Sequence, residues 1–216
     1  MDIIQTFIDF FLHLDVHLLE AIATYGAWTN ALLFGIIFME TGFVVTPFLP
    51  GDSILFAAGT FAALGSLNIS VLFVLLFVAA VAGDTVNYWI GDKIGRKAFE
   101  KNYRFLNKEH LIKTEKFYEK HGGKTIIIAR FMPIIRTFAP FVAGVGTMDY
   151  KRFISFKVVG GFLWVSLFLF GGFFFGNIPL VRDNFETVIF AIILISVVPM
   201  IIEYVRNKPK KAKKEL

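Results

Sequence analysis

The sequence contains no cysteine, which excludes disulfides, thiolate catalysis and cysteine-ligated metals. It also has no lysine or arginine in residues 1–92, whereas ten lie between 93 and 124 and six between 206 and 216. Such basic runs could bind nucleic acid in a soluble protein. Beside long apolar segments they instead indicate the positive-inside rule, so we expect no nucleic-acid partner. Both basic regions should be cytoplasmic, near anionic lipid headgroups.

Apolar residues dominate the rest of the chain. Of 216 residues, 56% are hydrophobic and 27 are phenylalanine, and the mean hydropathy is +0.66. An ordinary soluble domain is roughly 45–50% apolar. We therefore expect a multi-pass membrane protein, with one membrane domain spanning residues 1–216. A cleavable signal peptide is not expected, because acidic residues interrupt residues 1–20 and no basic residue precedes them.

The pattern of apolar, polar and breaking residues divides the chain into eight segments. We predict an amphipathic N-terminal helix at 1–27, a broken region at 28–66, a transmembrane span at 68–91, a cytoplasmic amphipathic segment at 93–124, a second broken region at 125–147, spans at 153–178 and 185–205, and a basic cytoplasmic tail at 206–216. His13 and His17 share the polar stripe of the first segment. They could form a metal pair, but a solvated helix face is the better interpretation, so no metal is predicted.

Two segments on the same side of a membrane must be separated by an even number of crossings, which suggests that one of the later apolar segments does not cross the membrane. The basic regions at 93–124 and 206–216 should lie on the same side, yet three apolar segments separate them. Segment 125–147 is the exception we choose, because two arginines at bilayer depth would cost roughly 5–7 kcal/mol. Its two prolines would also free backbone groups that lipid cannot satisfy. We predict a re-entrant hairpin that enters and leaves on the cytoplasmic side.

The first half of the chain has a similar plan in the opposite orientation. A broken region at 28–66 precedes a clean span, and the run Ala57–Thr60 resembles Ala143–Thr147. The predicted fold is therefore an all-α integral membrane protein: an inverted repeat with two facing re-entrant helical hairpins, transmembrane helices and amphipathic interfacial helices. Paired broken segments of this kind indicate a transporter site near the midplane of the bilayer.

Charged residues mark both broken regions. Glu40 and Asp52 lie in the first, and Arg130 and Arg136 lie in the second. If the hairpins face each other, these four side chains converge. Acids in an apolar site can bind and release protons, and arginine binds phosphate through paired N–H donors. The alternative is that the four charges only neutralise one another and hold the hairpins together.

Asp84 is a further acid, inside the span at 68–91. It could take part in proton coupling, or it could simply bond to Asn87 or to a neighbouring helix. Trp164 is interpreted as a packing or interfacial aromatic rather than a ligand contact. The glycine-rich run from 160 to 176 favours close helix packing over a phosphate loop.

Several motifs together resemble the DedA family of bacterial inner-membrane proteins, also known by its VTT or SNARE-associated domain. They are Phe38-Met39-Glu40-Thr41-Gly42, Pro47-Phe48-Leu49-Pro50-Gly51-Asp52-Ser53, Gly83-Asp84 with Tyr88 and Gly91, Arg130-Phe131 with Pro133, Arg136 and Thr137, and then Ala143-Gly144, Met148 and Trp164. The resemblance covers nearly the whole chain. It implies lipid transport, and it implies that Glu40, Asp52, Arg130 and Arg136 are essential.

The resemblance makes a proton-motive-force-coupled flippase that recycles undecaprenyl phosphate the leading hypothesis. Alternatives are a flippase or scramblase for phospholipids such as phosphatidylethanolamine, and a proton-coupled antiporter of small ions or drugs. An enzyme is not expected, because the four histidines lie away from the arginines, and no cofactor is implied. A structural protein without substrate is a further possibility. The sequence leaves open the lipid, the direction, the proton stoichiometry, the side of the N-terminus and whether the chain forms a homo-oligomer.

Overall fold

A computed structural model describes residues 14–43, 51–95, 124–146, 148–192 and 194–195. Every regular element within these ranges is helical, and none of the described residues forms a strand. The all-α prediction is therefore confirmed for this part of the chain. The predicted segments at 93–124 and 206–216 lie almost wholly or wholly outside the described residues.

The described residues form a succession of α-helices. They are α1 (Leu14–Tyr25), α2 (Thr29–Gly42), α3 (Gly51–Ala63), α4 (Ile69–Ile90), α5 (Lys124–Ala129), α6 (Pro133–Val145), α7 (Tyr150–Val165), α8 (Gly171–Phe175) and α9 (Pro179–Arg182). A 3₁₀ turn at Gly26–Trp28 joins α1 to α2, and π-helical turns at Gly91–Gly95 and Ser166–Phe170 follow α4 and α7. Residues 185–192 are also helical.

Three helical stretches are long and apolar enough to cross a membrane: Val16–Gly42, Ile69–Lys93 and Tyr150–Phe175. The last two coincide with the spans predicted at 68–91 and 153–178. The first joins α1, which carries the predicted polar stripe, to α2. Only part of the span predicted at 185–205 lies within the described residues.

Both predicted broken regions contain a helix interruption. In the first, α2 ends at Gly42 and the chain resumes as α3 at Gly51, while the proline turn between them lies outside the described residues. In the second, α5 ends at Ala129 and α6 begins at Pro133. Proline suits the first position of a helix, where its missing N–H is not needed. A helix of 13 residues thus follows each interruption: α3 follows the first and α6 follows the second.

Glycines bring α3 and α6 into backbone contact with the opposite half of the chain. A Cβ on Gly59 of α3 would meet the carbonyl of Leu169, and one on Gly172 would meet the carbonyl of Phe56. The second pair repeats this arrangement, since Gly144 of α6 faces the carbonyl of Tyr88, and Gly91 faces that of Phe141. In all four of these segments, the residue whose carbonyl is contacted precedes the contacting glycine by three positions.

The apolar core lies where α2, α3, α4 and α7 meet. Its most buried members include Leu33, Ile37, Leu55, Leu72, Leu76, Trp164 and Leu169. Other apolar side chains of the same helices point outward, such as Val74 and Leu167, each more than half exposed. An outer surface this apolar is suited to contact with lipid chains rather than water.

Candidate functional site

Six charged side chains among the described residues are buried inside the bundle, and their charges balance. They are the acids Glu40, Asp52 and Asp84 and the bases Arg130, Arg136 and Lys157, of which Asp52 is the most exposed at 4%. Burying an unpaired charge costs several kcal/mol, so buried charges are expected to be paired. The ion pairs among these six side chains follow that expectation.

Arg136 connects the two broken regions. It lies in the first turn of α6, and its Nη1 donates a hydrogen bond of 2.6 Å to Oδ1 of Asp52 in the first turn of α3. Its Nη2 donates to Oε1 of Glu40, near the end of α2. One guanidinium therefore holds both acids of the first region, as their predicted convergence required.

The Glu40 carboxylate also caps the start of α3. The backbone N–H of Gly51 donates to Oε1 of Glu40 over 3.2 Å. The N-terminus of a helix carries a partial positive charge, which favours the acids Glu40 and Asp52 at this place. A side chain at Gly51 would collide with the Glu40 carboxylate. Glycine is thus needed there to let the acid approach the helix end.

Asp84 on α4 pairs with two cations. Nη1 of Arg130 donates to its Oδ2, and the ammonium of Lys157 lies 3.3 Å from its Oδ1. All three side chains have no exposed surface. The bond from Asp84 to Asn87 considered above is not formed, since the acid pairs with neighbouring segments instead.

The residues around Asp84 fix its position. A Cβ at Gly83 would collide with Thr41, so this glycine lets α4 approach α2 closely. The amide nitrogen of Asn87, one turn further on, donates to the carbonyls of Thr41 at 3.1 Å and Thr137 at 2.8 Å. Asn87 therefore ties the ends of both broken regions to α4 beside the charged cluster.

Trp164 on α7 contacts both ion-pair groups. Its Nε1 donates to Oδ1 of Asp52 over 2.7 Å. The centre of its indole ring lies 4.8 Å from Cζ of Arg136 and 5.0 Å from Cζ of Arg130. Cation–π contacts of this kind are strongest when water is excluded, and Trp164 is fully buried. Trp164 therefore packs in the core, as predicted, and also contacts the buried charges.

Several polar atoms of the cluster have no hydrogen-bond partner among the described residues. These are Nε and Nη2 of Arg130, Nε of Arg136 and Oε2 of Glu40. Buried polar groups in proteins are usually satisfied, so each exception requires an explanation. Three free donors and one free carboxylate oxygen could together receive an anion and a proton.

All five site residues predicted from the sequence lie in this cluster, although the sequence analysis missed Lys157. That residue lies within the predicted span at 153–178, where an ionisable side chain by default indicates function. The nearby basic pair Lys151-Arg152 obscures this signal in the sequence, because basic residues at the edge of an apolar segment are also typical markers of membrane topology.

The histidine hypothesis gains no support from the described residues. His17 lies 3.8 Å from Glu20 on a partly exposed face, whereas His13 lies outside the described part of the chain. Within that part, no group of three or more histidine, cysteine, aspartate or glutamate side chains could hold a metal ion.

Comparison with known proteins identifies the family. Residues 49–174 match the VTT domain, and the chain is 54% identical over 216 residues to Protein DedA of Escherichia coli K12, covering 99% of each protein. The chain belongs to the DedA family. Five of the six buried charges fall within the VTT match, and Glu40 precedes it.

Two further relatives of this DedA-family chain are membrane proteins by name. An uncharacterized membrane protein of Mycobacterium leprae is 43% identical over 185 residues, which covers 84% of this chain and 83% of the relative. Inner membrane protein YqjA of Escherichia coli K12 is 30% identical over 171 residues, with coverage of 79% and 78%. No solved structure matches the chain. These relatives support a membrane location, and the cytoplasmic side of the C-terminus stays a prediction.

Proposed function

We propose that this protein is a proton-coupled lipid transporter that moves a phosphate-bearing headgroup across the cytoplasmic membrane, with undecaprenyl phosphate as its substrate. The phosphate class rests on the chemistry of the site, whereas the polyprenyl chain rests on the family resemblance. In this proposal the protein is not an enzyme, because the substrate is moved without being changed.

The observation that carries the proposal is the set of unpaired donors on the two buried arginines. Nε and Nη2 of Arg130 lie on the same edge of its guanidinium, and neither has a partner among the described residues. Such an edge matches two oxygens of a phosphate group. Nε of Arg136 is a third free donor. An anion bound here would satisfy atoms that are otherwise left without hydrogen bonds inside an apolar bundle.

Glu40 is the group we propose for proton coupling, together with Asp52 and Asp84. Its Oε1 accepts from Gly51 and Arg136, while its Oε2 is buried without a partner. Protonation at Oε2 would weaken the hold of the carboxylate on Arg136. Protonation would thereby free Arg136 for the phosphate. Deprotonation would return the carboxylate to Arg136 and release the lipid, which is how a proton gradient could drive transport.

An inverted repeat would supply the two conformations that alternating access needs. The matching glycine contacts of α3 and α6 with the opposite halves of the chain support this arrangement. They also support the proposal that both helices are arms of re-entrant hairpins. The six charges are buried from solvent, so the headgroup can reach them only if the hairpins move. The lipid tail would stay in the bilayer during this movement.

The test is transport in proteoliposomes that contain undecaprenyl phosphate under an imposed pH gradient. The phosphate exposed outside is measured with an added membrane-impermeant phosphatase, and phosphate release without that reagent would reveal an enzyme instead. We expect Arg130→Ala plus Arg136→Ala to abolish transport, and Glu40→Gln plus Asp52→Asn to remove its dependence on the gradient. The matched controls Arg182→Ala and Glu20→Gln change exposed charges of the same kinds.

The same vesicles separate the alternatives. Equal transport of phosphatidylethanolamine would indicate a general phospholipid flippase or scramblase. Proton flux driven by a small cation or a drug, without any lipid, would indicate an antiporter. Transport that survives both arginine changes would refute the phosphate role.

A further inference from the structure

We propose that Lys157 is a specificity-determining residue that, together with Arg130, makes the site selective for phosphate monoesters over phosphate diesters. This inference rests on the proposed function and extends it to the chemical class of the headgroup. A lipid with a terminal phosphate belongs to the first class, and an ordinary phospholipid belongs to the second.

The ion pairs divide the six buried charges into two groups of three with opposite net charge. Arg136 binds the two acids Glu40 and Asp52, which gives that group one excess negative charge when all are ionised. Asp84 binds the two cations Arg130 and Lys157, which gives the second group one excess positive charge. Buried charge attracts a compensating ion far more strongly than exposed charge does. The second group is therefore the better place for an anion.

The geometry of the second group leaves its cations able to bind an anion. Arg130 uses only Nη1 for Asp84, so its Nε–Nη2 edge is available to two phosphate oxygens. The ammonium of Lys157 has three N–H donors, of which the bond to Asp84 uses one. Arg136, in contrast, uses both of its terminal nitrogens for carboxylates. Arg130 and Lys157 bind different oxygens of one carboxylate, so both cations lie next to the same acid.

The position of Lys157 is costly unless the charge has a use. The residue lies on α7, within the candidate membrane span Tyr150–Phe175, and none of its surface is exposed. Ion pairing of Asp84 is already provided by Arg130. A second cation on the same acid adds a desolvation cost and is not needed to neutralise Asp84 itself. Asp84 is one of the proposed proton-accepting acids. When it is protonated, an anion with two negative charges would balance both cations.

The number of charges is what distinguishes the two headgroup classes. A phosphate monoester carries between one and a half and two negative charges near neutral pH, by analogy with phosphorylated side chains. A diester carries one, and when Asp84 is protonated Arg130 alone can neutralise it. The additional cation should therefore favour the monoester, and its removal should abolish the preference.

Two matched probes test this with the purified full-length protein at pH 8. They are dodecyl phosphate and its methyl ester, which differ by one methyl group and one ionisable oxygen. We expect the wild type to bind the monoester more tightly. Lys157→Met should weaken monoester binding about ten-fold or more, as for loss of a charged hydrogen bond, with little effect on the diester. Lys157→Arg should retain the preference, and Lys151→Met, an exposed lysine of the same helix, should bind as the wild type does.

Each other outcome has a definite meaning. Equal weakening of both probes by Lys157→Met would make Lys157 a structural cation and overturn the inference, while leaving the proposed function intact. No effect on either probe would overturn it as well. If the wild type binds neither probe, the proposed phosphate transport itself fails. Elution at the wild-type volume and an unchanged thermal unfolding curve would show that Lys157→Met is folded, as we expect because Asp84 retains Arg130 as its partner.

Discussion

The guanidinium of Arg136 donates to the carboxylate of Glu40, 96 residues earlier in the chain, and so links the helix that follows the second interruption to the helix that precedes the first. The same guanidinium donates to Asp52. A single side chain therefore connects three helices. This connection can be removed from either end, with different expected consequences.

Removal of Arg136 should be far more damaging to stability than neutralisation of Glu40. Arg136→Ala leaves two buried carboxylates without their cation, and loss of one partner of a buried ion pair costs about 3–5 kcal/mol. Glu40→Gln retains the shape and leaves Arg136 paired with Asp52. Thermal unfolding of the purified protein in detergent checks the order. Arg182→Ala, at an exposed site, should change stability by no more than about 0.5 kcal/mol.

Gly51→Ala should impair transport, because the added methyl group collides with the Glu40 carboxylate. The acid must then leave the start of α3, and both its hydrogen bond to Gly51 and its contact with Arg136 should be lost. The measurement is proton-driven lipid transport at equal protein content. Gly35→Ala is the matched control on the helix that carries Glu40, since its Cβ would meet no atom within 4 Å. Full activity of Gly51→Ala would show that the approach of Glu40 to α3 is unnecessary.

Trp164→Phe separates the hydrogen bond of the indole from its ring. The change removes the donor to Asp52 but leaves an aromatic face beside both guanidiniums. Hydrogen bonds to charged groups contribute about 1.5–3 kcal/mol, so we expect a loss of stability in that range. Chemical denaturation followed by circular dichroism provides the value. Trp28→Phe, at a residue that is 77% exposed, should be nearly neutral. Equal effects at both positions would contradict a specific role for Trp164.

The paired glycine contacts predict matched sensitivity in the two halves of the chain. Gly172→Ala and Gly91→Ala each direct a methyl group at a backbone carbonyl, of Phe56 or of Phe141. A carbonyl in a helix cannot move aside cheaply, and overpacking typically costs about 1–3 kcal/mol. Gly171→Ala is the control, because its nearest neighbour would be a side-chain atom at 3.9 Å. A loss of melting temperature at only one of the two sites would contradict the equivalence of the halves.

The sequence was sufficient to predict the helical class, both interruptions and the convergence of four charged residues, because each depends on local composition. Prolines and glycines that lie close together favour the end of a helix, and charges in apolar segments have few partners available. The pairing itself was not predictable. That Asp84 binds Lys157 rather than Asn87, and that Trp164 bonds to Asp52, depends on how α3, α4 and α7 pack together. That packing is set by close glycine contacts between residues far apart in sequence.

Asp84→Asn should destabilise the protein, and a second change should restore part of the loss. The single change leaves Arg130 and Lys157 buried together without the acid that they share, so they repel each other at low dielectric. Asp84→Asn combined with Lys157→Met removes one of the two cations and thereby relieves the repulsion.

Residues in one ion-pair network typically show coupling energies of about 0.5–3 kcal/mol. A double-mutant cycle on thermal unfolding measures this coupling. Asp183→Asn, an exposed acid, serves as the neutral reference. Strict additivity of the two changes would show that Lys157 does not depend on Asp84. A stability gain from the second change would instead confirm that the two cations are held together only by the acid between them.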